Sequence, residues 1–243
     1  MPTLLQHYVL YFFIASTLGW IMEVVCKLIQ FRRFINRGFL IGPYCPIYGF
    51  GAVIVTALLS RYTDAPAMVF VMAMVLCGTL EYVTSFLMEK LFHARWWDYS
   101  HKRFNLNGRV CADTLIPFGL LGMLMIYVVK PLLFYWMDRW PGHTLQWACL
   151  GLLVIFLSDV ALSTTILSKI RKTATLSGED DTEAITRAVR EKLADRALAR
   201  RVMNAFPYVR LYTKPVMERI QQRRREIRRE IERKLKEIEH GRS

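Results

Sequence analysis

The sequence has no G-x-x-x-x-G-K-[ST], no HExxH and no GxSxG, so it offers no P-loop, no zincin site and no nucleophile elbow. Its five cysteines (Cys26, Cys45, Cys77, Cys111 and Cys149) are odd in number, scattered and without a CxxC pair. That disfavours a disulfide framework and a structural zinc site, and leaves buried free thiols as the expectation, with no metal and no cofactor. The N-terminus lacks a basic n-region, and the apolar run from Leu4 is too long and unbroken for a cleavable h-region, so the first apolar segment is expected to stay. Nor is the composition that of a soluble domain. Of 243 residues, 53% are hydrophobic, and the mean hydropathy is positive.

The charge that is present is uneven. Residues 1–168 hold 12 Lys+Arg and 8 Asp+Glu, whereas residues 169–243 hold 21 and 12, for nets of +4 and +9. The chain therefore divides into a transmembrane domain, 1–168, and a basic helical tail, 169–243. A hydrocarbon core of about 30 Å needs roughly 20 residues of helix. Five segments answer to that, near 4–31, 39–61, 66–90, 114–137 and 144–168, predicting an all-α integral membrane protein. Basic residues cluster after the first span (Arg32, Arg33, Arg37) and after the third (Arg95, Lys102, Arg103, Arg109). The positive-inside rule then puts those loops and the tail in the cytoplasm of an inner-membrane protein, with the N-terminus outside.

Two stretches share an outline. In residues 36–51, NRGFLIGPYCPIYGFG, Gly38 precedes Gly49 by 11 residues, and in residues 105–122, NLNGRVCADTLIPFGLLG, Gly108 precedes Gly119 by the same 11. Each carries an asparagine before its first glycine, with a cysteine and a proline inside. The outline predicts a parallel repeat, 4–61 and 66–137, with the fifth helix unpaired. Gly42, Pro43 and Pro46 make the start of the second span irregular: it reads either as a re-entrant, unwound segment or as a cytoplasmic loop with proline at the helix N-terminus. If the helix starts only at Pro46, about 14 apolar residues remain before Ser60, which is short for a crossing.

Glu23, Glu81 and Asp159 lie in the inner halves of spans one, three and five. A central acid costs about 2.5–3.5 kcal/mol on insertion scales, so the three are expected to face inward and find partners. Arg37, Arg109, Lys27 and the backbone donors near Gly38 and Gly108 are the partners within reach. The reading favoured is a polar cavity at the inner half of the membrane, against a purely structural network. Between spans three and four, Trp96, Trp97, Tyr99 and Phe104 fit an interfacial anchor, while Asp98, His101, Asn105, Asn107, Arg109 and Asp113 are more hydrogen-bonding groups than an anchor needs.

In the tail, residues 182–204 read as helical with Ile185, Val189 and Leu193 on one side, and a last helix is expected from Pro215 to about Glu239. Its narrow apolar stripe calls for a partner: a second copy in a coiled coil, another subunit, or anionic lipid headgroups. Nucleic acid is not expected.

At GPYCPIYGFG, and again at WWDYS, FNLNGRVC and IPFGLLG, the chain resembles the ABC-transporter type IV family of bacterial multi-pass membrane proteins, over about residues 8–165. The matching motif positions are Gly42, Pro43, Tyr44, Cys45, Pro46, Tyr48, Gly49, Trp97, Asp98, Tyr99, Asn105, Asn107, Gly108, Arg109 and Cys111, none with a role assigned by the family. The resemblance implies a permease-like subunit served by a separate ATPase, and five spans imply a homo-oligomer. The expected polar site comprises Glu23, Arg37, Tyr44, Cys45, Tyr48, Glu81, Asp98, His101, Asn105, Asn107, Arg109, Cys111, Asp113 and Asp159. Gly38, Gly42, Pro43, Pro46, Gly49, Gly108 and Gly119 shape its backbone. Two alternatives stand beside the permease. One is a membrane enzyme on a lipid or headgroup substrate, with Cys45 or Cys111 as nucleophile beside His101 and Asp98. The other is a scaffold recruiting a partner through the tail.

Overall fold

A computed structural model describes residues 3–32, 34–36, 38–175, 182–192, 197–205, 209–211 and scattered positions between 216 and 233. Most of the predicted last helix, Arg37, Leu193 and Pro207 lie outside the described residues.

The architecture is helical. Helix α1 (Thr3–Phe31) leads through an irregular segment to α2 (Pro46–Leu59), which a single 3-10 turn (Ser60–Tyr62) extends. Helix α3 (Pro66–Phe92) follows, then strands β1 (Ala94–Arg95), β2 (Asn105–Leu106) and β3 (Val110–Cys111). Helix α4 (Ala112–Leu124) passes through a π-helical segment (Met125–Val129) into α5 (Lys130–Met137). Then come α6 (Gly142–Thr175), α7 (Thr182–Lys192), α8 (Ala197–Ala205) and β4 (Arg210–Leu211).

Among the described residues, four helical stretches are long and apolar enough to cross a membrane: Thr3–Phe31, Pro66–Phe92, Ala112–Met137 and Gly142–Thr175. Large apolar side chains such as Val154, Ile155 and Leu157 stand exposed on α6, as a lipid-facing surface requires. The second predicted span is shorter than the rest. Its helix begins at Pro46, where the ring's fixed φ suits the first turn and the missing N–H is not needed, and its 14 residues reach only about 21 Å. Residues 38–45 are not helical.

The helices pack as two hairpins, α1 on α2 and α3 on α4, and glycines set both contacts. A Cβ on Gly49 would lie 2.2 Å from Ser16 Oγ and 2.6 Å from Phe12 Cδ2, and one on Gly119 would lie 2.5 Å from Phe70 and 2.9 Å from Met74. Phe12 and Phe70 are 58 residues apart, as are Glu23 and Glu81, while Gly49 and Gly119 are 70 apart. Each hairpin thus has a glycine of its second helix against a phenylalanine of its first, Gly49 by Phe12 and Gly119 by Phe70. The hairpins differ by one turn: α2 starts three residues before Gly49 and α4 seven before Gly119, so the two N-cap residues, Cys45 and Cys111, fall 66 apart instead of 70.

The α4–α5 helix changes hydrogen-bond pattern at its middle. The Lys130 N–H bonds to the Met125 carbonyl, five residues back, and Pro131 has no N–H to give. The Tyr11 hydroxyl ties this region to the first hairpin, 3.1 Å from Thr56 Oγ1 and donating to the Met125 carbonyl at 3.3 Å.

The tail returns to the helices. Strand β4 pairs antiparallel with β1, Ala94 opposite Leu211 and Arg95 opposite Arg210. Ile185, Val189, Val202, Met203 and Leu211 join Ala94, Trp96, Ile166, Leu167 and Ile170 in one buried cluster. Within the helical expectation for 182–204, the described residues 182–192 and 197–204 are helical, with Ile185 and Val189 fully buried.

Candidate functional site: a cavity between two helical hairpins

The two hairpins enclose a cavity of about 640 Å³. Its wall is mostly apolar, with Leu18, Val55, Leu80, Phe118 and Leu121 from four helices and Met125 and Val129 from the π-helical segment. Into it face Glu23, Glu81, Tyr48, Tyr99, Cys45 and Cys77. Each acid is met by hydroxyls. The Tyr48 hydroxyl donates to Glu23 at 2.8 Å. Glu81, 7% exposed, accepts from the Tyr99 hydroxyl at 3.2 Å and from Thr114 Oγ1 at 3.3 Å. Thr114 stands in the extra first turn of α4, while on the other hairpin the donor is Tyr48 on the shorter α2. Gly19 makes room for Tyr48, whose ring would lie 2.3 Å from a Cβ there.

The cations expected to neutralise the acids are placed elsewhere, as far as they are described. Arg109 reaches Glu89, not Glu81: the guanidinium lies 2.8 Å from Glu89 Oε2 and 3.4 Å from Ser85 Oγ, over the rings of Tyr82 and Phe86. Glu89 is two turns nearer the helix end, and that is where a loop starting after Phe92 can return. Lys27 is half-buried and donates to Gln30 at 2.6 Å.

Asp159 forms a separate cluster. Its oxygens accept from the Ile41 and Gly42 amides at 2.9 and 2.7 Å, from the Tyr44 hydroxyl at 2.6 Å and from Ser163 Oγ at 2.9 Å. Gly42 is required beside Tyr44, whose ring a Cβ would meet at 2.3 Å. On the other side of this segment, Arg201 of α8 donates to the Leu40 and Ile41 carbonyls at 2.7 and 3.1 Å. The segment is thus held between an acid on α6 and a guanidinium of the tail, and its ends, Gly38, Phe39 and Cys45, line the cavity.

The second loop is a small folded unit. Asn107 and Gly108 both have positive φ, 54° and 66°, and the Arg109 N–H bonds to the Leu106 carbonyl at 3.0 Å, an Asn-Gly turn; because Leu106 pairs with Val110, Arg109 is the extra residue of a three-residue hairpin loop. Asn105 Oδ1 receives the Gly108 N–H at 2.9 Å, and its Nδ2 donates to the Lys102 carbonyl at 2.7 Å. Asn107 Nδ2 donates to the Tyr82 hydroxyl at 2.9 Å. Arg95 reaches the Asn107 carbonyl and stands 3.6 Å from Asp98, which also accepts from the Ser100 amide. The Trp97 ring N–H donates to the Arg109 carbonyl. This unit delivers Tyr99 to Glu81, and burial followed by the Glu81 carboxylate holds the Tyr99 phenol well above its usual range. Lys102 pairs with Asp113 at 2.9 Å, and that bond raises the ammonium above its ordinary value.

Of the residues expected at one site, then, Glu23, Cys45, Tyr48 and Glu81 face the cavity, with Gly38 and Pro46 in its wall. Tyr44 and Asp159 sit beside it. Asp98, Asn105, Asn107, Arg109 and Cys111 build the second loop, and His101 and Asp113 are exposed. Cys111 is 2% exposed at the N-terminus of α4. Sequence reasoning missed Thr114, Cys77, Glu89, Arg201 and the π-helical segment. Asn107-Gly108 was a readable turn signal, and Pro131 a readable break.

Residues 10–164 match the family described as "Putative ABC-transporter type IV". No curated protein and no solved structure matches the chain.

Proposed function

The chain belongs to that ABC-transporter type IV family, and from this we propose that it is a membrane subunit of an ABC-type transporter whose binding site is the cavity between the hairpins. The observation that carries the reading is the paired placement of Glu23 and Glu81. They are equivalent residues of two repeated hairpins, both turned into one mostly apolar space. Acids at membrane depth are costly unless they serve a pathway or a bound group. The basic loops support a cavity in the inner half of a cytoplasmic membrane with the tail inside. Since the sequence carries no P-loop, ATP hydrolysis falls to a separate subunit. The tail is the coupling surface, because Arg201 grips the segment whose ends line the cavity. The subunit works as a homo-oligomer, in keeping with its few crossings.

The test is purification of the full chain from its native membrane with associated proteins. A P-loop ATPase should be recovered, and its hydrolysis in proteoliposomes should depend on the intact chain and fall at least tenfold with Glu81→Gln. Undiminished coupled hydrolysis and transport with Glu81→Gln would remove the cavity from the mechanism.

A further inference from the structure

We propose that the cavity takes an amphipathic organic cation: a protonated or quaternary ammonium, or a like charge, carried on an apolar body. This rests on the reading of the cavity as a binding site and names the ligand that the site would take.

The acids and tyrosines of the cavity offer a ligand acceptors, and beside them the Thr84 hydroxyl and the Cys45 and Cys77 thiols are its uncharged donors. Tyr48 donates its proton to Glu23 and Tyr99 donates its proton to Glu81, while the one proton of Thr114 is shared between the Cys111 carbonyl at 2.8 Å and Glu81 at 3.3 Å, so these hydroxyls have only acceptor capacity left. No described residue lining the cavity is lysine, arginine or histidine. Glu81, buried in α3, has hydroxyls and no cation among its described hydrogen-bond and ion-pair partners. Around these acceptors the wall is apolar and aromatic, with Phe92, Trp97 and Phe118 able to present ring faces to a positive charge.

Three other ligand classes fit poorly. An anion would meet Glu81. A neutral apolar molecule would offer Glu81 neither charge nor hydrogen bond, so the carboxyl beneath it would have to take up a proton. An inorganic cation needs about six oxygens at short range, and no group of three or more metal-binding side chains occurs among the described residues. A volume of about 640 Å³ lies within the range of pockets that enclose drug-sized molecules. The charge would sit at Glu81 and Tyr99, and the apolar body would extend toward Leu121 and Met125.

Tetraphenylphosphonium and tetraphenylborate match in shape and apolarity and differ in the sign of charge. Equilibrium binding to the purified full chain in lipid nanodiscs should show saturable, one-site phosphonium binding that tetraphenylborate does not displace. Glu81→Gln should weaken it at least tenfold. Gly51→Leu should do the same by filling space: a Cβ at Gly51 meets nothing closer than 3.7 Å, so the helix accepts the side chain and the cavity receives its end. Equal binding of the two probes to the wild-type chain would overturn the proposal with no variant needed. So would wild-type phosphonium affinity in either variant with an unchanged unfolding temperature. Failure of the transport reading is distinguishable, because phosphonium binding and its Glu81 dependence would persist while no coupled ATPase was found.

Discussion

Gly49 and Gly119 show how one missing methyl sets the distance between two helices. An alanine at either position has to displace a neighbour, Ser16 and the Phe12 backbone in one case and the Phe70 ring in the other. Gly49→Ala should cost about 1–3 kcal/mol, the usual range for overpacking, whereas Gly151→Ala, which meets nothing within 4 Å, should cost nothing. Thermal unfolding in detergent compares them, and equal midpoints would contradict the packing. Tyr99 gives a second test. Its phenol is held above the ordinary value of about 10, so the fold favours the neutral form. That contribution is complete below about pH 10 and is lost as pH rises toward the elevated value. Spectrophotometric titration between about pH 10 and 11 should therefore count as many ionising phenols in Tyr99→Phe as in the wild type. One fewer would mean that Tyr99 ionises like a free phenol. At this scale the sequence pointed to backbone donors of the first loop as partners for the acids, and Asp159 does accept from the Ile41 and Gly42 amides, but the partners of Glu81 are different ones. Charge complementarity pointed to Arg109 for the deep acids, yet Glu81 is reached by Tyr99 and Thr114, 18 and 33 residues away, along a loop path that no spacing rule describes.

At the scale of elements, the irregular segment 38–45 is the informative case. Its glycines and prolines were legible as a departure from helix, and so was the short helix from Pro46. One anchor was legible in kind, an inner-half acid meeting backbone donors of this loop as Asp159 meets Ile41 and Gly42, but Arg201, 161 residues from Leu40, was not. Asp159→Ala leaves the Ile41 and Gly42 amides without their acceptor, at about 1–3 kcal/mol for each unsatisfied group. Hydrogen exchange at those two amides should accelerate at least tenfold, and exchange unchanged from wild type would show that the segment is held by other contacts. The second loop is held from α3 instead. Arg109→Ala strands Glu89, 15% exposed, at about 3 kcal/mol, and a double-mutant cycle with Glu89→Gln should recover most of that loss. Additive effects would mean that the ion pair contributes little.

For the whole molecule, charge suggested a membrane part and a basic tail, but nothing in it pointed to residues between 185 and 211 packing against the long helices. Strand pairing between β1 and β4 rests on two residues each, too short to register as a pattern, and the buried cluster draws on α6, α7, α8 and the loop after α3. Val189→Asp places a charge in that cluster and should release the tail, read as faster proteolysis between α6 and α7 with the hairpins intact. Unchanged proteolysis would contradict the docking.

The π-helical segment has one more consequence. An added residue in a single turn advances the helix phase by about 100°, so the side chains of α5 point in a different direction from those of α4. That offset lets Gly119 and Gly122 face α3 while Phe134, farther along the same rod, stacks against His7, Tyr8 and Tyr11 of α1 at 5.2–6.0 Å. The segment acts as a twist coupling between two contact surfaces. Removing a single residue from 125–129 would restore the α-helical phase and rotate Phe134 off α1, leaving the contact between α3 and α4 in place.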